Sequence, residues 1–536
     1  MILKFIAEKN KKENKNSVLI FLLLLIFAIS HFQLFFLKSF FSTPVILAIF
    51  SILIYPLLKR NYHLSIFLFI ILLIDFLLAY LVIDFSSDGS SYHYKAILII
   101  ANGYDLYFDK SLDYRLSGTP VMQWIFPVIF KDISGSNSIN SGGKLFASAI
   151  LFLVSIRANK ILFENQKKNF DIFRALIISF VISCPPIFWS QLYTAYGDYW
   201  TYWSCALILI SAIGFINSIK EKDKKEFTRT LFLGLVFAST VKYQSALIGF
   251  LIFIFLIIYY LLKKLAKEQL RFFFSDSIFN ATVILIGSFI LLTTFYKNYL
   301  VSGYFIPGIN IVPAKDVLFD NIFYKETSKY WHLFYSLFSR TELNVTDPKI
   351  SFFQINYFKD LLKYGYPDIR FGAYGPLSSI LFTVSIFAVF KLRGINLFFP
   401  IIFLIIFALL PGVGTSRFFP FIQILPALFL IVFLTSRYFK IFAFLIILNL
   451  CFIGFGALSY QLLNTLKLKF SVKFLESNKQ YAIKFDNSGY IMGQVLDGKL
   501  YRKIDQDSKC YDIKTIIPFF HMDGLICEEN PMSKNN

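Results

Sequence analysis

The chain has 536 residues, of which 57% are hydrophobic and only 16% are charged, and its mean hydropathy is +0.62. This composition is too apolar for a soluble globular protein and indicates a membrane protein. The formal net charge of +20 does not indicate nucleic-acid binding, because much of the basic excess lies in short loops and tails beside apolar segments, where it sets orientation and attracts lipid head groups.

Apolar segments recur along the whole chain and predict an all-α polytopic membrane protein. A membrane-spanning helix needs roughly 20 mostly apolar residues, and about thirteen segments approach that length. The predicted spans are Ser17–Leu37, Thr43–Leu58, His63–Ile83, Lys144–Phe163, Arg174–Trp189, Trp200–Ser218, Thr230–Tyr243, Ser245–Leu262, Ile278–Tyr296, Gly375–Phe390, Ile395–Leu410, Phe418–Thr435 and Phe439–Leu458.

Basic residues cluster at every second connection, as in "KNKKENK" from Lys9 and "KEKDKKEFTR" from Lys220. The positive-inside rule therefore predicts that these connections and the N-terminus are cytoplasmic. The first apolar run lacks a cleavage pattern and is expected to stay in the membrane. We expect a cytoplasmic tail at 1–16, a transmembrane domain at 17–458 with outer loops at 86–143 and 297–374, and an outer C-terminal appendage at 459–536.

The C-terminal segment alternates apolar and polar residues and contains turn signals at Asn487-Ser488-Gly489 and Asp497-Gly498, which predicts a small α/β or β appendage. Two of the five cysteines, Cys510 and Cys527, lie in this segment. An outer, oxidising compartment would favour a disulfide between them, and two free thiols are the alternative.

Asp88 follows the third predicted span within a few residues, at the outer membrane surface. A partly desolvated carboxylate there can act as a general base toward an attacking hydroxyl group. The alternative is structural, because Asp88-Gly89 also fits a turn in which the aspartate caps the following helix, "SYHYKAILIIA". Both roles are compatible with each other.

Two further polar residues lie near Asp88 in the sequence, and structural roles are expected for them. His93 is expected to be a hydrogen-bonding residue at the membrane surface, because no second histidine or cysteine lies at metal-ligand spacing around it. Asp75 lies inside the third span, where a carboxylate costs about 2.5–3.5 kcal/mol on insertion scales. We expect it to be neutralised within the bundle.

The segment "DGSSYHYKAILIIANGYDLYFD", followed by "LDYRLSGTPVMQWIF", resembles the first outer loop of the GT-C membrane glycosyltransferases, especially the bacterial branch similar to protein mannosyltransferases. An acidic residue just outside a membrane helix is followed there by a tyrosine and a small residue at helical spacing. Asp88, Tyr92 and Ala96 match that pattern. Gly89 stands where the family usually has a second acidic residue, so a paired-carboxylate site is not expected.

Further motifs follow in the family's order and cover roughly Asp75 to Leu434. "YTAYGDYWTYW" is similar to the second outer turn and contains Asp198, and "STVKYQ" is similar to a hairpin motif and contains Lys242 and Tyr243. "FYKNYLVSGYFIPG" contains Lys297, and "SRFFPFIQILPALFLI" contains Arg417. Each motif alone is weak, because glycine, proline and tyrosine recur at membrane interfaces.

The resemblance implies a GT-C-like fold and transfer of a sugar, with inversion, from a polyprenyl-phosphate donor to an acceptor hydroxyl group on the outer face of the membrane. Asp88 is then the general base, and Lys242, Arg417 and Lys297 bind the donor phosphate, with Arg340 and Arg370 in reserve. The residues that line the substrate site are Tyr92, His93, Asp198 and Tyr243. For the phosphate-binding cations the alternative is snorkelling to lipid head groups.

The expected partners are a polyprenyl-phosphate-linked sugar, a glycan, lipid or protein acceptor and membrane lipid, with no nucleic acid. No metal ligand is assigned, no cofactor is required, and a divalent metal is left open. The expected location is the bacterial cytoplasmic membrane, with the N-terminus inside and the C-terminus outside. The alternatives are a lipid-linked polysaccharide polymerase or ligase, which usually relies on arginine-rich outer loops, and a transporter or flippase, which should show internal symmetry.

The predicted orientation can be measured with single cysteines in a cysteine-free background. We expect Ser117→Cys, Ser328→Cys and Ser508→Cys to react with a membrane-impermeant thiol reagent in intact cells, and Lys224→Cys to react only after the membrane is opened. A protected cysteine at position 117 would leave the catalytic hypothesis without its outer compartment.

Overall fold

Long apolar helices make up most of the part of the chain that the structure describes. The computed structural model describes residues 16–84, 93–103, 122–136, 139, 141–165, 171–194, 196–241, 243–262, 277–302, 375–389, 420–434, 436, 438–477, 481–485, 510–512 and 524–528. Within these residues six helices are long and apolar enough to cross a membrane, namely Asn16–Leu37, Tyr62–Leu81, Lys144–Glu164, Asp198–Asn217, Ile278–Lys297 and Phe439–Leu466. The described chain is therefore a mostly helical protein of the kind that resides in a membrane.

The described helices are numbered here in chain order. They are α1 Asn16–Phe32, α2 Ser42–Leu58, α3 Tyr62–Leu81, α4 Tyr94–Ala101, α5 Met122–Ser134, α6 Lys144–Asn165, α7 Ile172–Ser183, α8 Pro186–Gln191, α9 Asp198–Asn217, α10 Glu221–Val241, α11 Tyr243–Leu262, α12 Ser277–Ser302, α13 Ser378–Val389, α14 Leu425–Val432 and α15 Phe439–Ser477. A π-helical turn, Gln33–Leu37, extends α1, and a 3₁₀ turn, Pro420–Ile424, precedes α14.

Helices occupy every predicted span except Ile395–Leu410, which lies outside the described residues. Six of these helices satisfy the length and composition of a membrane crossing. Four shorter apolar helices, Ser42–Leu58, Ile172–Ser183, Ile248–Ile258 and Ile422–Val432, do not reach that length. The number thirteen therefore stays a prediction.

One face of α3 is built for contact with lipid. Ile66, Phe69, Leu73 and Leu77 repeat at helical spacing, and each is more than 40% exposed. The opposite face carries buried residues, including Asp75. Large apolar side chains are stable on an outer surface only when the surrounding solvent is itself apolar, so this face is expected to lie against the bilayer.

The helix at the centre of the bundle is α9, which contacts α6, α10 and α11. Its tryptophans fill the space between these helices: Trp200 packs edge-on against Phe27 of α1, and Trp203 packs edge-on against Phe237 of α10. The Nε1 of Trp203 donates a hydrogen bond of 2.7 Å to the carbonyl oxygen of Ala147 in α6. Aromatic packing and an indole donor thus tie four helices together.

The predicted span Arg174–Trp189 is interrupted. Helix α7 ends at Ser183 and α8 begins at Pro186, because Pro185 and Pro186 lack the backbone N–H groups that would continue the hydrogen bonds of the helix. Inside an apolar bundle the carbonyl groups freed by the break need protein donors.

Neighbouring side chains supply these donors. The hydroxyl groups of Ser148 and Tyr199 donate to the carbonyl oxygen of Ser183, and Tyr202 donates to that of Ile182. The backbone N–H beyond the break, at Ile187, donates to Gln423 Oε1 over 2.7 Å. The broken helix is therefore held by polar side chains from α6, α9 and the 3₁₀ turn before α14.

Three connections that are predicted to be cytoplasmic meet at one end of the bundle. Glu226 of α10 accepts hydrogen bonds from the backbone N–H and the hydroxyl group of Ser17 at the start of α1. Arg157 of α6 forms a salt bridge of 2.8 Å with Asp223 and a longer one of 3.7 Å with Glu226. The structure thus places these basic connections on a common side, as the charge pattern predicts.

Two helices extend beyond the predicted spans. Helix α10 begins at Glu221 instead of Thr230, because its first turn carries Glu221 and Asp223, whose negative charge stabilises a helix N-terminus. Helix α15 continues to Ser477, so the segment "SVKFLES", which we predicted to begin the alternating tail, is helical. Lys473, Leu475 and Glu476 have high helix propensity, and the segment continues the preceding helix despite its short alternating pattern.

Three short strands follow α15. They are β1 Tyr481–Phe485, β2 Cys510–Asp512 and β3 Gly524–Glu528, and they pair antiparallel in the order β1-β3-β2. The residues between the strands lie outside the described part of the chain. A folded C-terminal appendage therefore stays a prediction.

The turn before α6 can be tested by a matched pair of glycine substitutions. Gly143 and Gly135 both have positive φ angles, +85° and +64°, but an added Cβ would lie 2.5 Å from the Phe126 ring at Gly143 and would meet nothing within 4 Å at Gly135. Since both substitutions share the backbone strain, we expect Gly143→Ala to cost about 1–3 kcal/mol more than Gly135→Ala. Thermal unfolding in detergent measures the difference, and equal losses would contradict the packing.

Candidate functional site

Several predicted site residues lie outside the described residues. These are Asp88, Tyr92, Lys242 and Arg417, together with the reserve cations Arg340 and Arg370. Tyr243 is the first residue of α11, but the structure describes only its backbone. His93, Asp198 and Lys297 are described, so the site is built here from these three residues and from the side chains around them.

The carboxylate of Asp75 completes the N-terminus of α6. It accepts backbone hydrogen bonds from Gly143, Leu145 and Phe146, the last at 3.0 Å from Oδ2. The first N–H groups of a helix have no partner within the helix, and in an apolar bundle another part of the chain must supply one. The buried carboxylate predicted in the third span is thus a helix cap provided by a distant residue.

Lys144, the first residue of α6, is 1% exposed. Its Nζ donates to the carbonyl oxygen of Gln191 over 2.7 Å and also to that of Thr194. Three carboxylates interact with it electrostatically, and Asp84 has the largest effect, followed by Asp75 and Asp198. A lysine can be buried this completely only when such partners replace water.

The turn between α8 and α9 is organised by the side chain of Gln191. Its Nε2 donates to Asp198 Oδ2 over 3.0 Å, and its Oε1 accepts from the backbone N–H of Tyr199 over 3.0 Å. Asp198 is therefore buried at the first turn of α9, where negative charge is favoured by the helix dipole. Both carbonyl groups that bind Lys144 come from this same turn.

His93 stands immediately before α4 and is 4% exposed. Its Nδ1 accepts a hydrogen bond of 3.0 Å from Trp124 Nε1 of α5, so this nitrogen is unprotonated in this arrangement. The imidazole also meets the Tyr196 ring edge-on, at 5.6 Å between centroids. The histidine is therefore a hydrogen-bonding residue within protein.

The His93 region and the Lys144 region are adjacent. Gln123, the residue before Trp124, packs against Gly197. A Cβ atom added at Gly197 would lie 1.9 Å from the Oε1 of Gln123. Gly197 is the residue between Tyr196 and Asp198. We call Asp75, Asp84, His93, Lys144 and Asp198 together the polar cluster, since helices and turns from distant parts of the sequence bring them together around the start of α6.

Helices α4, α5, α6 and α9 all begin at the polar cluster, and helix N-termini carry partial positive charge. Their dipoles and Lys144 offset the three carboxylates. Close by in the chain, burial raises the pKa of Tyr193 to about 12, so its phenol stays protonated at neutral pH. Within the described ranges no group of three or more histidine, cysteine or acidic side chains could hold a metal ion.

Lys297 lies in a different environment, on α12. The residue is fully buried and interacts electrostatically with His31 of α1, whose Nε2 lies 2.7 Å from the hydroxyl oxygen of Thr293. The ammonium is therefore enclosed by protein and does not extend along a lipid-facing surface.

Asp84, Lys144 and Gln191 were not predicted as site residues. The sequence does contain a signal for Lys144, because it begins an apolar span at the end predicted to be outside, where the positive-inside rule expects few cations. Asp84 follows the third span by one residue and is fully buried. An acidic and a basic residue at the same predicted depth could have been considered as a buried pair.

Comparison of the chain with protein-family models, curated proteins and solved structures gave no match.

The role of Lys144 is tested by two identical substitutions on one helix. Lys144→Met leaves three carboxylates buried without their cation, which typically costs about 3–5 kcal/mol. The control is Lys160→Met, because Lys160 is partly exposed and pairs with Glu164 one turn away, an interaction worth about 0.3–0.5 kcal/mol. We expect a much lower unfolding temperature and yield for the first variant only.

A second substitution tests whether the loss of stability in Lys144→Met is electrostatic. Adding Asp84→Asn to Lys144→Met removes one uncompensated carboxylate, so part of the lost stability should return. If Lys144→Met were as stable as Lys160→Met, the electrostatic account of the cluster would be wrong.

Proposed function

We propose that this protein is a membrane glycosyltransferase that transfers a sugar from a polyprenyl-phosphate donor to an acceptor hydroxyl group on the outer face of the membrane. The observation that carries the proposal is the polar cluster. Asp88 follows Asp84 by four residues and precedes His93 by five, so its neighbours in the chain on both sides belong to this cluster. The same segments carry the resemblance to the GT-C glycosyltransferases.

The charge distribution at this end of the bundle supports a reaction with an anionic leaving group. Four helices begin in one region beside Lys144, so their N-termini and its ammonium lower the cost of further negative charge next to the three carboxylates. The carboxylates of Asp75 and Asp198 are already engaged by backbone and amide donors. We therefore assign them to maintaining the site and leave proton transfer to Asp88.

In the proposed reaction the acceptor oxygen attacks the anomeric carbon and Asp88 takes the hydroxyl proton. The bond between the anomeric carbon and the phosphate oxygen breaks, and the polyprenyl phosphate leaves with the bonding electrons, so that the configuration inverts. One carboxylate suffices, since phosphate is a good leaving group. Lys242 and Arg417 are proposed to stabilise the developing phosphate charge. Lys297, which is fully buried, remains a third proposed phosphate-binding cation.

The general-base assignment is tested by Asp88→Asn, with Asp105→Asn as the control in the same outer loop. The amide cannot accept the proton, and loss of a general base lowers rates by about 10²- to 10⁴-fold. We expect Asp88→Asn to be inserted and folded but inactive, and the control to keep its activity. The readout is the mass of surface glycans and lipid-linked intermediates in cells carrying each variant.

An Asp88→Asn rate above about a tenth of wild type would contradict a general-base role. The product also distinguishes the proposed transferase from the first alternative. A polymerase or ligase changes the length or attachment of whole glycan chains, whereas this transferase changes the mass of the acceptor by one sugar. Loss of a single sugar unit in cells without the gene therefore supports the proposal.

One structural feature favours the transporter alternative. The break between α7 and α8 is a discontinuous helix, and such helices often form substrate sites in transporters. In this protein, however, side chains from neighbouring helices already bind the carbonyl groups of Ile182 and Ser183. The break is thus stabilised as a fixed structural element, and for this reason we prefer the transferase.

A further inference from the structure

We propose that Cys510 and Cys527 form an intramolecular disulfide bond. In the antiparallel pairing of β2 with β3 the two residues are direct partners, with Tyr511 opposite Ile526 and Asp512 opposite Leu525. Directly opposed residues in antiparallel strands have Cα atoms about 4.5 or 5.5 Å apart, depending on whether the pair is hydrogen-bonded. Both separations fall within the range of about 4.4–6.8 Å found for disulfides.

The register also places both cysteines on one face of the sheet, because opposed residues of antiparallel strands share a face. A slip of one residue would put them on opposite faces. The central strand is fixed on both sides, since Cys527 is also the partner of Ala482 in β1.

The other three cysteines of the chain are free. Cys184 and Cys205 are buried within the helical bundle, and Cys451 is exposed on α15. Cys510 and Cys527 are thus the only cysteines that remain for a bond with each other. A bond between them would close a segment of 18 residues, counted from 510 to 527, and would hold β2 on β3.

The reaction needs an electron acceptor. The two thiols together lose two protons and two electrons, and the sulfur atoms form one bond. The acceptor is a thiol–disulfide oxidoreductase of the outer compartment, whose own disulfide is reduced to a dithiol. The proposal therefore rests on the predicted outer location of the C-terminus and is independent of the glycosyl-transfer reaction.

The experiment uses the full-length protein, purified from membranes that are lysed in N-ethylmaleimide and unfolded without reductant. Trypsin cleaves after Lys509, Lys514 and Lys534, which places the two cysteines in separate peptides, 510–514 and 515–534. We expect mass spectrometry to find these peptides linked, with two hydrogens fewer than the two thiol peptides together. Reduction should separate them, and Cys184, Cys205 and Cys451 should carry maleimide.

Two variants complete the test. Cys510→Ser should leave Cys527 fully modified by maleimide, whereas Cys451→Ser should keep the linked pair. Maleimide on both Cys510 and Cys527 of the wild-type protein would overturn the proposal, as would a link from either one to a different cysteine or to a second chain. Because the readout is the wild-type peptide map, the result does not depend on the folding of a variant.

Discussion

Polar groups inside this bundle depend on partners within the protein, because a bilayer offers no hydrogen-bonding groups to replace water. The start of α6 shows the consequence. Asp75, from the middle of α3, accepts the N–H groups of Gly143, Leu145 and Phe146, and Lys144 donates to carbonyl groups of the α8–α9 turn. These bonds fix two helices and one turn relative to one another.

The same requirement explains the opposite end of α6. Arg157 lies 13 residues after Lys144, about 20 Å along a helix, and pairs with Asp223 and Glu226, while Glu226 also binds the first residues of α1. Charged networks thus close the bundle at both ends, and aromatic side chains of α9 fill the space between them. Ion pairs between helix ends fix the positions of the helices relative to one another, which apolar contact with lipid cannot do.

In the reaction that we propose, phosphate is released close to several helix N-termini. The dipoles of α4, α5, α6 and α9 and the ammonium of Lys144 are preorganised, so they need not reorient as negative charge develops. The buried carboxylates are held by donors of their own, which separates structural acidic residues from a residue that must exchange a proton. This division of roles is the physical basis on which we assign catalysis to Asp88 and support to Asp75 and Asp198.

Hydropathy and charge patterns in the sequence by themselves determined the apolar helices, the common side of the basic connections and the helix that follows Asp88, since each depends on local composition. They did not reveal the break at Pro185-Pro186, the helical continuation to Ser477 or the burial of Asp84 with Lys144. The sequence does not show whether a given carboxylate is buried or solvated, because this depends on the groups that surround it in the folded protein. Most of those partners are separated from each other by tens of residues. The tertiary structure therefore decided which polar residues form a cluster, because it alone brings together the groups that stabilise buried charges.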